Sequence, residues 1–249
     1  MPVKLVTIDF WNTLFDSSNG RQRNAIRQKA LINEIDKIGV MVKQDQYDKA
    51  MKASWEFFNN IWRKDQRTPE PVETVRFFWN YLKLPESEDC IANVVRAFSD
   101  SILDHPPKLL PGVKSTLPIL SERYEMGIVS DTGFSPGSVL KILLDKEDIL
   151  KYFGAFSFSD ETCVSKPHPK AFNTILRHFD IKPAEGLHIG DIELTDIVGA
   201  KAIGMKAIRF SGDDTGIFLK ENPRISEADA ESKSWKEIPD IVSRLSDNK

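Results

Sequence analysis

The chain has few cysteines and no excess of basic residues. Its 249 residues include two cysteines, Cys90 and Cys163, which lie far apart and form no CxxC pair. A disulfide framework, a thiolate metal site and a redox dithiol therefore have no support. The formal net charge of -3 differs from that of proteins that bind the phosphate backbone of nucleic acids. We expect no nucleic-acid partner.

Long apolar runs are also absent. The sequence contains no apolar run of the roughly 18 residues that span a bilayer. The N-terminal run from Val3 to Ile8 is ended by Asp9 and lacks the basic region that precedes the apolar part of a signal peptide. This run is typical of a buried strand. We expect no membrane partner and a cytoplasmic location.

The residues that are present predict an α/β core. Five short runs rich in β-branched residues each end in a polar residue, and helical patterns separate the later runs, which is typical of a parallel sheet covered on both faces. The runs are Lys4 to Asp9, Met126 to Asp131, Ala155 to Asp160, Leu187 to Asp191 and Lys206 to Ser211. After Pro223 the sequence is polar, and we predict a surface helix from Trp235 to Leu245.

The stretch between the first two strands differs because it has helical spacing and no convincing strand. It predicts four helices, near residues 21–38, 44–63, 71–83 and 87–103. Prolines at positions 106, 107 and 111 indicate where the chain returns to the core. We therefore predict a Rossmann-like parallel sheet core, residues 1–16 and 105–249, with an inserted all-helical domain, residues 17–104.

Polar clusters follow the predicted strands, where ligands bind in such sheets. The first is DFWNTL, residues 9–14, in which the Asp9 carboxylate can attack phosphorus and form a covalent intermediate. The second is SDTG, residues 130–133, in which a hydroxyl and backbone N–H groups can hold phosphate oxygens.

The other two clusters supply a cation and more carboxylates. Lys166-Pro167 offers an ammonium that can stabilise the nucleophile and the transferring group. GDIELTD, residues 190–196, contains Asp191 and Asp196 five positions apart. With Asp9 they form the oxygen-rich pocket that Mg²⁺ prefers, and a phosphate can share such a pocket with carboxylates only if cations offset the repulsion.

In order and type the four clusters resemble the motifs of the haloacid dehalogenase superfamily. That pattern runs Asp-x-Asp-x-Thr, then Ser or Thr, then Lys often followed by Pro, and finally Gly-Asp with a second Asp. The stretch from Gly190 to Met205 is an especially close match. The resemblance covers about residues 1–16 and 105–215, and the inserted segment is similar to the helical cap of that family.

The resemblance implies an Mg²⁺-dependent phosphatase, monomeric or homodimeric, that acts on a small phosphorylated metabolite through an aspartyl-phosphate at Asp9. The implied catalytic residues are Asp9, Thr13, Ser130 and Lys166. The implied metal ligands are Asp9, the backbone carbonyl of Trp11, Asp191 and Asp196, the last directly or through water. The expected substrate-binding residues are Trp11, Asn12, Asp131 and Thr132.

Trp11 departs from the phosphatase pattern, which has an Asp at this position to protonate the leaving group and activate water. Such acid-base catalysis contributes about 100- to 10,000-fold, so its loss affects alkyl phosphates more than acyl phosphates. Glu193, between the two aspartates, either reaches the pocket as a substitute or is exposed to solvent. His168, beside Lys166-Pro167, is expected to be only a neighbour of the site.

Three alternatives remain open at this point. Dehalogenases of the superfamily also have an aromatic residue at the position of Trp11, but they work without metal and have Ser and Asn where this chain has Gly190-Asp191. A binding or regulatory protein with little turnover is the second. A phosphonate-cleaving enzyme is the third, and it would need a cap lysine, for which Lys29, Lys49 and Lys52 are candidates.

The predicted cap helices contain many aromatic residues, mostly expected to form the core of the cap with one or two facing the active site. They are Trp55, Phe57, Phe58, Trp62, Phe77, Phe78, Trp79 and Tyr81.

Overall fold

The computed structural model describes residues 1–213, 215–216, 222–223 and 225–247. The other positions of the predicted core domain, 214, 217–221, 224 and 248–249, lie outside the described residues. The strands are β1 (Leu5–Ile8), β2 (Glu125–Ser130), β3 (Ala155–Phe158), β4 (Gly186–Gly190), β5 (Lys206–Phe210) and β6 (Ala230–Ser232). The helices are α1 (Gly20–Lys37), α2 (Gln44–Lys64), α3 (Pro71–Tyr81), α4 (Glu88–Asp104), α5 (Val113–Ser121), α6 (Gly137–Lys146), α7 (Ser159–Thr162), α8 (Pro169–His178), α9 (Val198–Ala202) and α10 (Ile238–Asp247).

The six strands form one parallel sheet in the order β3-β2-β1-β4-β5-β6. The strand β1 lies between β2 and β4, with Ile8 opposite Ile128 on one side and Ile189 on the other. The carboxyl ends of these three strands therefore meet at one edge. The predicted α/β core is confirmed, and the polar clusters that follow these strands are brought together at that edge.

All five predicted strands form, but the sequence did not predict β6, which is short and polar. It pairs with β5 at the end of the sheet. The predicted surface helix begins at Ile238, and Trp235 just before it is fully buried and donates a hydrogen bond from Nε1 to the Thr13 carbonyl, 2.7 Å away. The C-terminal segment therefore supports the loop that follows β1.

Helices α1 to α4, which we call the cap, have their own hydrophobic cluster. Its buried members include Leu31 of α1, Tyr47 of α2, Trp79 of α3 and Val94 of α4. All four helices begin and end within two residues of the predicted bounds. Since each buries one apolar face against the others, tertiary packing stabilises the helices that the spacing predicts.

The two connections between cap and core lie side by side. The N–H of Leu110 donates to the Leu14 carbonyl at 2.8 Å, and the N–H of Asp16 donates to the Lys108 carbonyl at 2.9 Å. Phe134, in the core loop between β2 and α6, packs among cap aromatics, with ring centroids 5.1 Å from Phe58. The cap is thereby held over the carboxyl end of the sheet.

No helix in the described ranges has both the length and the apolar character needed to cross a bilayer.

We predict that Gly137→Ala destabilises the core. A Cβ at Gly137, the first residue of α6, would lie 2.3 Å from Cδ2 of the buried Phe158. Overpacking of this kind costs about 1 to 3 kcal/mol. Gly20→Ala is the matched control, because Gly20 is the first residue of α1 and its added Cβ would come no closer than 3.8 Å to its nearest neighbour. Equal free energies of unfolding in urea for both variants would contradict the prediction.

Candidate active site

A cavity of about 600 Å³ lies between the carboxyl end of the sheet and the cap. Seven of the ten residues predicted from the motifs line it: Asp9, Trp11, Asn12, Asp131, Lys166, Asp191 and Asp196. The other three, Thr13, Ser130 and Thr132, are buried beside it and are not among its lining residues. Residues separated by almost the whole core sequence are thus brought to one place by the order of the strands.

Lys166 joins two of the carboxylates. Its Nζ donates to Asp9 Oδ1 and to Asp196 Oδ1, the latter at 2.6 Å, and its side chain is 3% exposed. Burial by itself would lower the pKa of Lys166, but attraction to Asp196 and then to Asp9 outweighs it and raises the pKa above its ordinary value. Lys166 is therefore an ammonium ion at neutral pH.

Asp196 is fully engaged by protein groups. Besides Lys166, Oδ1 contacts His188 Nε2 at 3.0 Å, and Oδ2 accepts from the N–H of Ile192 at 3.0 Å and from the Thr195 hydroxyl at 3.2 Å. Burial would raise the pKa of Asp196, but Lys166 and His188 lower it below its ordinary value. A carboxylate with this many donors is suited to holding Lys166 in position. It has little capacity left for direct contact with a metal ion.

Gly190 explains how Asp196 can turn back toward the sheet. A Cβ at position 190 would lie 2.3 Å from Asp196 Cγ, so a larger residue would displace that carboxylate.

His188, on the same strand, was not recognised from the sequence. It is fully buried, and burial lowers its pKa, so a neutral imidazole bridges Asp196 and the Thr7 hydroxyl. A histidine in an otherwise apolar strand was the available signal.

Asp9 and Asp191 form the other half of the site. Burial, opposed mainly by Lys166, raises the pKa of Asp9 to about 7. Burial, followed by the charges of Asp196 and Asp9, raises the pKa of Asp191 well above its ordinary value. Asn12 Nδ2 donates to Asp191 Oδ2 at 3.2 Å and so links the loops after β1 and β4. Two buried carboxyl groups that repel each other bind either protons or a cation.

These groups suit a magnesium ion that is bound partly by substrate and water. They do not suit a metal ion that is bound by protein side chains alone. In the described part of the chain, no three or more acidic, histidine or cysteine side chains form a metal cage. Mg²⁺ is commonly bound by one or two carboxylates and completes its coordination with substrate phosphate and water. Asp9, Asp191 and the backbone at Trp11 border the cavity and offer only oxygen ligands, which suits this mode of binding.

Asp131 connects the core to the cap. Its Oδ2 accepts from Trp62 Nε1 of α2 at 2.8 Å, and its Oδ1 accepts from the Lys166 N–H at 3.0 Å. Thr132, predicted to bind substrate, donates its N–H to the Ser159 hydroxyl oxygen at 2.9 Å. The hydroxyls of Thr13 and Ser130 are buried and have no hydrogen-bond partner among the described residues.

Trp11 presents an indole where an acid-base group would be expected. The ring lines the cavity, packs edge-on against Phe10 with centroids 5.1 Å apart, and lies 5.9 Å from the Arg23 guanidinium carbon. Nothing in these contacts gives position 11 a group that can donate or accept a proton in catalysis.

Glu193 matches neither alternative offered for it, since it is not exposed to solvent and does not line the cavity. Its carboxylate is buried and accepts from the Ser226 hydroxyl at 2.6 Å and from the Glu227 N–H at 2.7 Å, so it supports the segment before β6. His168 caps α8 and accepts a hydrogen bond from the Lys170 N–H at 3.1 Å, as expected for a residue that is only a neighbour of the site.

The structure also places the cap residues named from the sequence. The candidate imine-forming lysines are exposed and do not line the cavity; they are Lys29, Lys49 and Lys52. This arrangement offers no support for the phosphonate-cleaving alternative. Four of the eight cap aromatics line the cavity, more than the one or two expected; they are Trp55, Phe58, Trp62 and Phe78.

Proteins of similar sequence include phosphatases. A glyceraldehyde 3-phosphate phosphatase from Pyrococcus furiosus is 29% identical over 84% of this chain and 80% of its own. One from Methanopyrus kandleri is 27% identical over 98% of both chains.

Solved structures share the fold. A 2-haloacid dehalogenase from Pseudomonas syringae pv. Tomato DC3000 matches with a TM-score of 0.73 and 20% identity, covering 97% of this chain and 99% of that one. A HAD phosphatase from Thermococcus onnurineus matches with a TM-score of 0.63 and 20% identity, over 96% of this chain and 98% of its own. The model of the haloacid dehalogenase-like hydrolases matches residues 3–204, more than half of the sequence, and the chain therefore belongs to that family of hydrolases.

Proposed function

We propose that the protein is a magnesium-dependent phosphatase that hydrolyses a small phosphorylated molecule through an aspartyl-phosphate at Asp9. The observation that carries the proposal is the convergence of Asp9, Lys166 and Asp191 on one buried cavity. Asp196 is buried there too, and the ion pairs of Lys166 are with Asp9 and Asp196 and do not include Asp191. An additional divalent cation would offset the excess negative charge before a phosphate group enters.

Asp191 favours phosphoryl transfer over halide displacement. A haloacid brings its own carboxylate, and the Asp191 carboxyl group would repel it in a buried site unless a metal ion lay between them. The curated relatives described above are named as phosphatases of a small phosphate ester. Both considerations support a phosphate monoester as the substrate.

The residues suggest how the reaction proceeds. Lys166 holds Asp9 Oδ1, which leaves Oδ2 to attack phosphorus. The new bond joins Oδ2 to phosphorus while the bond to the ester oxygen breaks, and the alcohol leaves after taking up a proton. Water then attacks the same phosphorus, phosphate departs, and the Asp9 carboxylate is restored. Mg²⁺, when held by Asp9, the Trp11 carbonyl and Asp191, would neutralise charge on the phosphoryl oxygens.

The departing oxygen receives no proton from position 11, because Trp11 carries no acidic group. Solvent would have to supply that proton, which slows departure of a strongly basic alkoxide more than departure of a phenolate or carboxylate. We therefore propose that aryl and acyl phosphates are hydrolysed faster than simple alkyl phosphates.

The proposed function is tested by a panel of acyl, aryl and alkyl phosphates, phosphonates and haloacids, with and without Mg²⁺. We expect phosphate release that requires Mg²⁺ and is lost in Asp9→Asn, because the amide is not a nucleophile toward phosphorus. Asp145→Asn, an exposed change on α6, is the control and should leave activity unchanged. Halide release without metal would indicate a dehalogenase, and metal binding with no turnover of any compound would indicate a regulatory protein.

Trp11→Asp is predicted to raise kcat for alkyl phosphates by about 100- to 10,000-fold relative to Trp11→Asn, since only the carboxyl group can transfer protons. The asparagine variant matches the aspartate in size and controls for removal of the indole. Acetyl phosphate should distinguish the two variants far less, because its leaving group needs no proton. Equal rates for both variants on an alkyl phosphate would show that position 11 does not contact the leaving group.

Magnesium affinity is predicted to fall as the pH drops below about 7. The pKa of Asp9 is raised to about 7 and that of Asp191 is also raised, so protons compete with the metal for both groups at low pH. Each proton displaced changes the apparent affinity about 10-fold per pH unit. Calorimetric titration across this pH range measures the slope, which should be smaller in Asp191→Asn. An affinity independent of pH would argue against binding at these two carboxylates.

A further inference from the structure

The cavity extends beyond the catalytic carboxylates into the cap. We call its cap side the cap chamber, formed by Arg27, Tyr47, Thr74, Phe78, Phe98 and Phe134. Ligand pockets of roughly 300 to 1,000 Å³ enclose molecules of drug size, and the whole cavity, at about 600 Å³, falls in this range. A phosphate group with two or three carbons attached would leave much of the aromatic wall without contacts.

The size of the chamber does not result from a cap that stands open. The cap is docked on the core through the Trp62 to Asp131 hydrogen bond and through the Thr68 hydroxyl, which lies 2.7 Å from that of Ser159. The Ser165 N–H also donates to the Gln66 carbonyl at 2.6 Å. The space is therefore present while the cap is docked on the core.

Arg27 is a cation in this chamber without an acidic partner. Its Nε donates to the Phe98 carbonyl at 3.3 Å, and its Nη1 donates to Asn24 Oδ1 at 3.1 Å. The guanidinium carbon lies 4.9 Å from the ring centroid of Phe134 and 5.8 Å from that of Phe98. Within the described ranges no carboxylate acts on it: burial, then repulsion by Arg23, lowers the pKa of Arg27 to about 10. It remains charged at neutral pH.

Two hydroxyl groups in the chamber also have unused hydrogen-bonding capacity. Tyr47 is 5% exposed and Thr74 is 2% exposed, and neither hydroxyl has a partner among the described residues. An unsatisfied polar group in a buried position is energetically unfavourable, because it has lost its hydrogen bonds to water without replacing them. A ligand with oxygen atoms near these hydroxyls would recover that free energy, as it would for the unpaired charge of Arg27.

We propose that the cap chamber selects phosphate monoesters whose alcohol part is aromatic and carries a carboxylate that binds Arg27. The aromatic walls would contact the ring, and the hydroxyls of Tyr47 and Thr74 would hydrogen bond oxygen atoms of the same alcohol part. This inference rests on the proposed function, because it specifies the ester that Asp9 would attack. The phenolate leaving group also suits an enzyme without an acid at position 11.

The test compares four aryl phosphates with acetyl phosphate as a small reference. Three carry a carboxylate at increasing distance from the ring, being the phosphates of para-hydroxybenzoic, para-hydroxyphenylacetic and para-hydroxyphenylpropanoic acid, and the fourth is phenyl phosphate. We expect the best carboxylate ester to have a kcat/KM at least about 10-fold above that of phenyl phosphate. Arg27→Met should lower it by about 10- to 100-fold, the usual effect of losing a charge-assisted hydrogen bond, and leave acetyl phosphate unchanged.

Further variants separate recognition from folding. Arg27→Lys keeps the charge and should retain part of the preference for the carboxylate, whereas Tyr47→Phe and Thr74→Val should each lower kcat/KM several-fold for the carboxylate esters alone. Arg96→Met, an exposed change on α4 outside the cavity, is the matched control. Circular dichroism and thermal unfolding identify any variant that fails to fold. If Arg27→Met does not fold, the ratio of kcat/KM between the best carboxylate ester and phenyl phosphate is measured in Arg27→Lys and compared with that of the native protein.

The outcomes distinguish this inference from the proposed function. If acetyl phosphate is hydrolysed but the carboxylate esters match phenyl phosphate and Arg27→Met changes nothing, the chamber does not recognise a carboxylate and the phosphatase proposal stands. If no phosphate compound is hydrolysed, the phosphatase proposal is wrong. The chamber is then tested by quenching of tryptophan fluorescence with para-hydroxyphenylpropanoate, where equal affinity in the native protein and Arg27→Met overturns the inference and weaker affinity in the variant supports it.

Discussion

The ion cluster around Lys166 is the constraint on which the rest of the site depends. One buried ammonium joins the carboxylate that follows β1 to the carboxylate in the turn after β4. Bringing these charges out of water is costly, and a buried ion pair seldom gains stability over apolar packing. Its value here is positional. Lys166 sets which oxygen of Asp9 is free, Asp196 fixes Lys166, and the glycine at position 190 gives Asp196 the room to do so.

The core and the cap are joined at the same side chains that form the site. Asp131 receives one hydrogen bond from the Lys166 backbone and another from the Trp62 indole of the cap, so a single carboxylate contacts both the loop of Lys166 and helix α2. Phe134, three residues later, packs in the aromatic cluster of the cap. Movement of the cap would therefore change the contacts of the loop that holds Lys166, which links the position of the cap to the ion cluster.

Sequence patterns predicted the parts of the structure that depend on local spacing. Runs of β-branched residues ending in a polar residue predicted the strands, and helical periodicity predicted the cap helices. The strand order, which places β1 beside β4 and so brings Asp9 near Asp191, was not predicted. Features that depend on distant partners escaped prediction. Strand β6 is too short and polar to stand out, Glu193 is drawn away by residues more than thirty positions later, and the role of His188 depends on Asp196 folding back. Nothing in the sequence distinguishes Arg27 from other helical arginines, because its place in the cavity depends on packing against Phe98 and Phe134.

The paired connections between cap and core bear on how such a molecule could arise. Asp16 and Lys108 are joined by one backbone hydrogen bond and by a second from the Lys108 N–H to the Asp16 carboxylate, so the helical segment leaves and rejoins the sheet domain at a single point. Closing a loop at fixed ends costs free energy that grows only slowly with its length. A segment of another size or architecture could therefore be grafted between these two residues while the strand ends keep their places. The buried carboxylates and Lys166 could be inherited as a unit while the helical segment above them is exchanged.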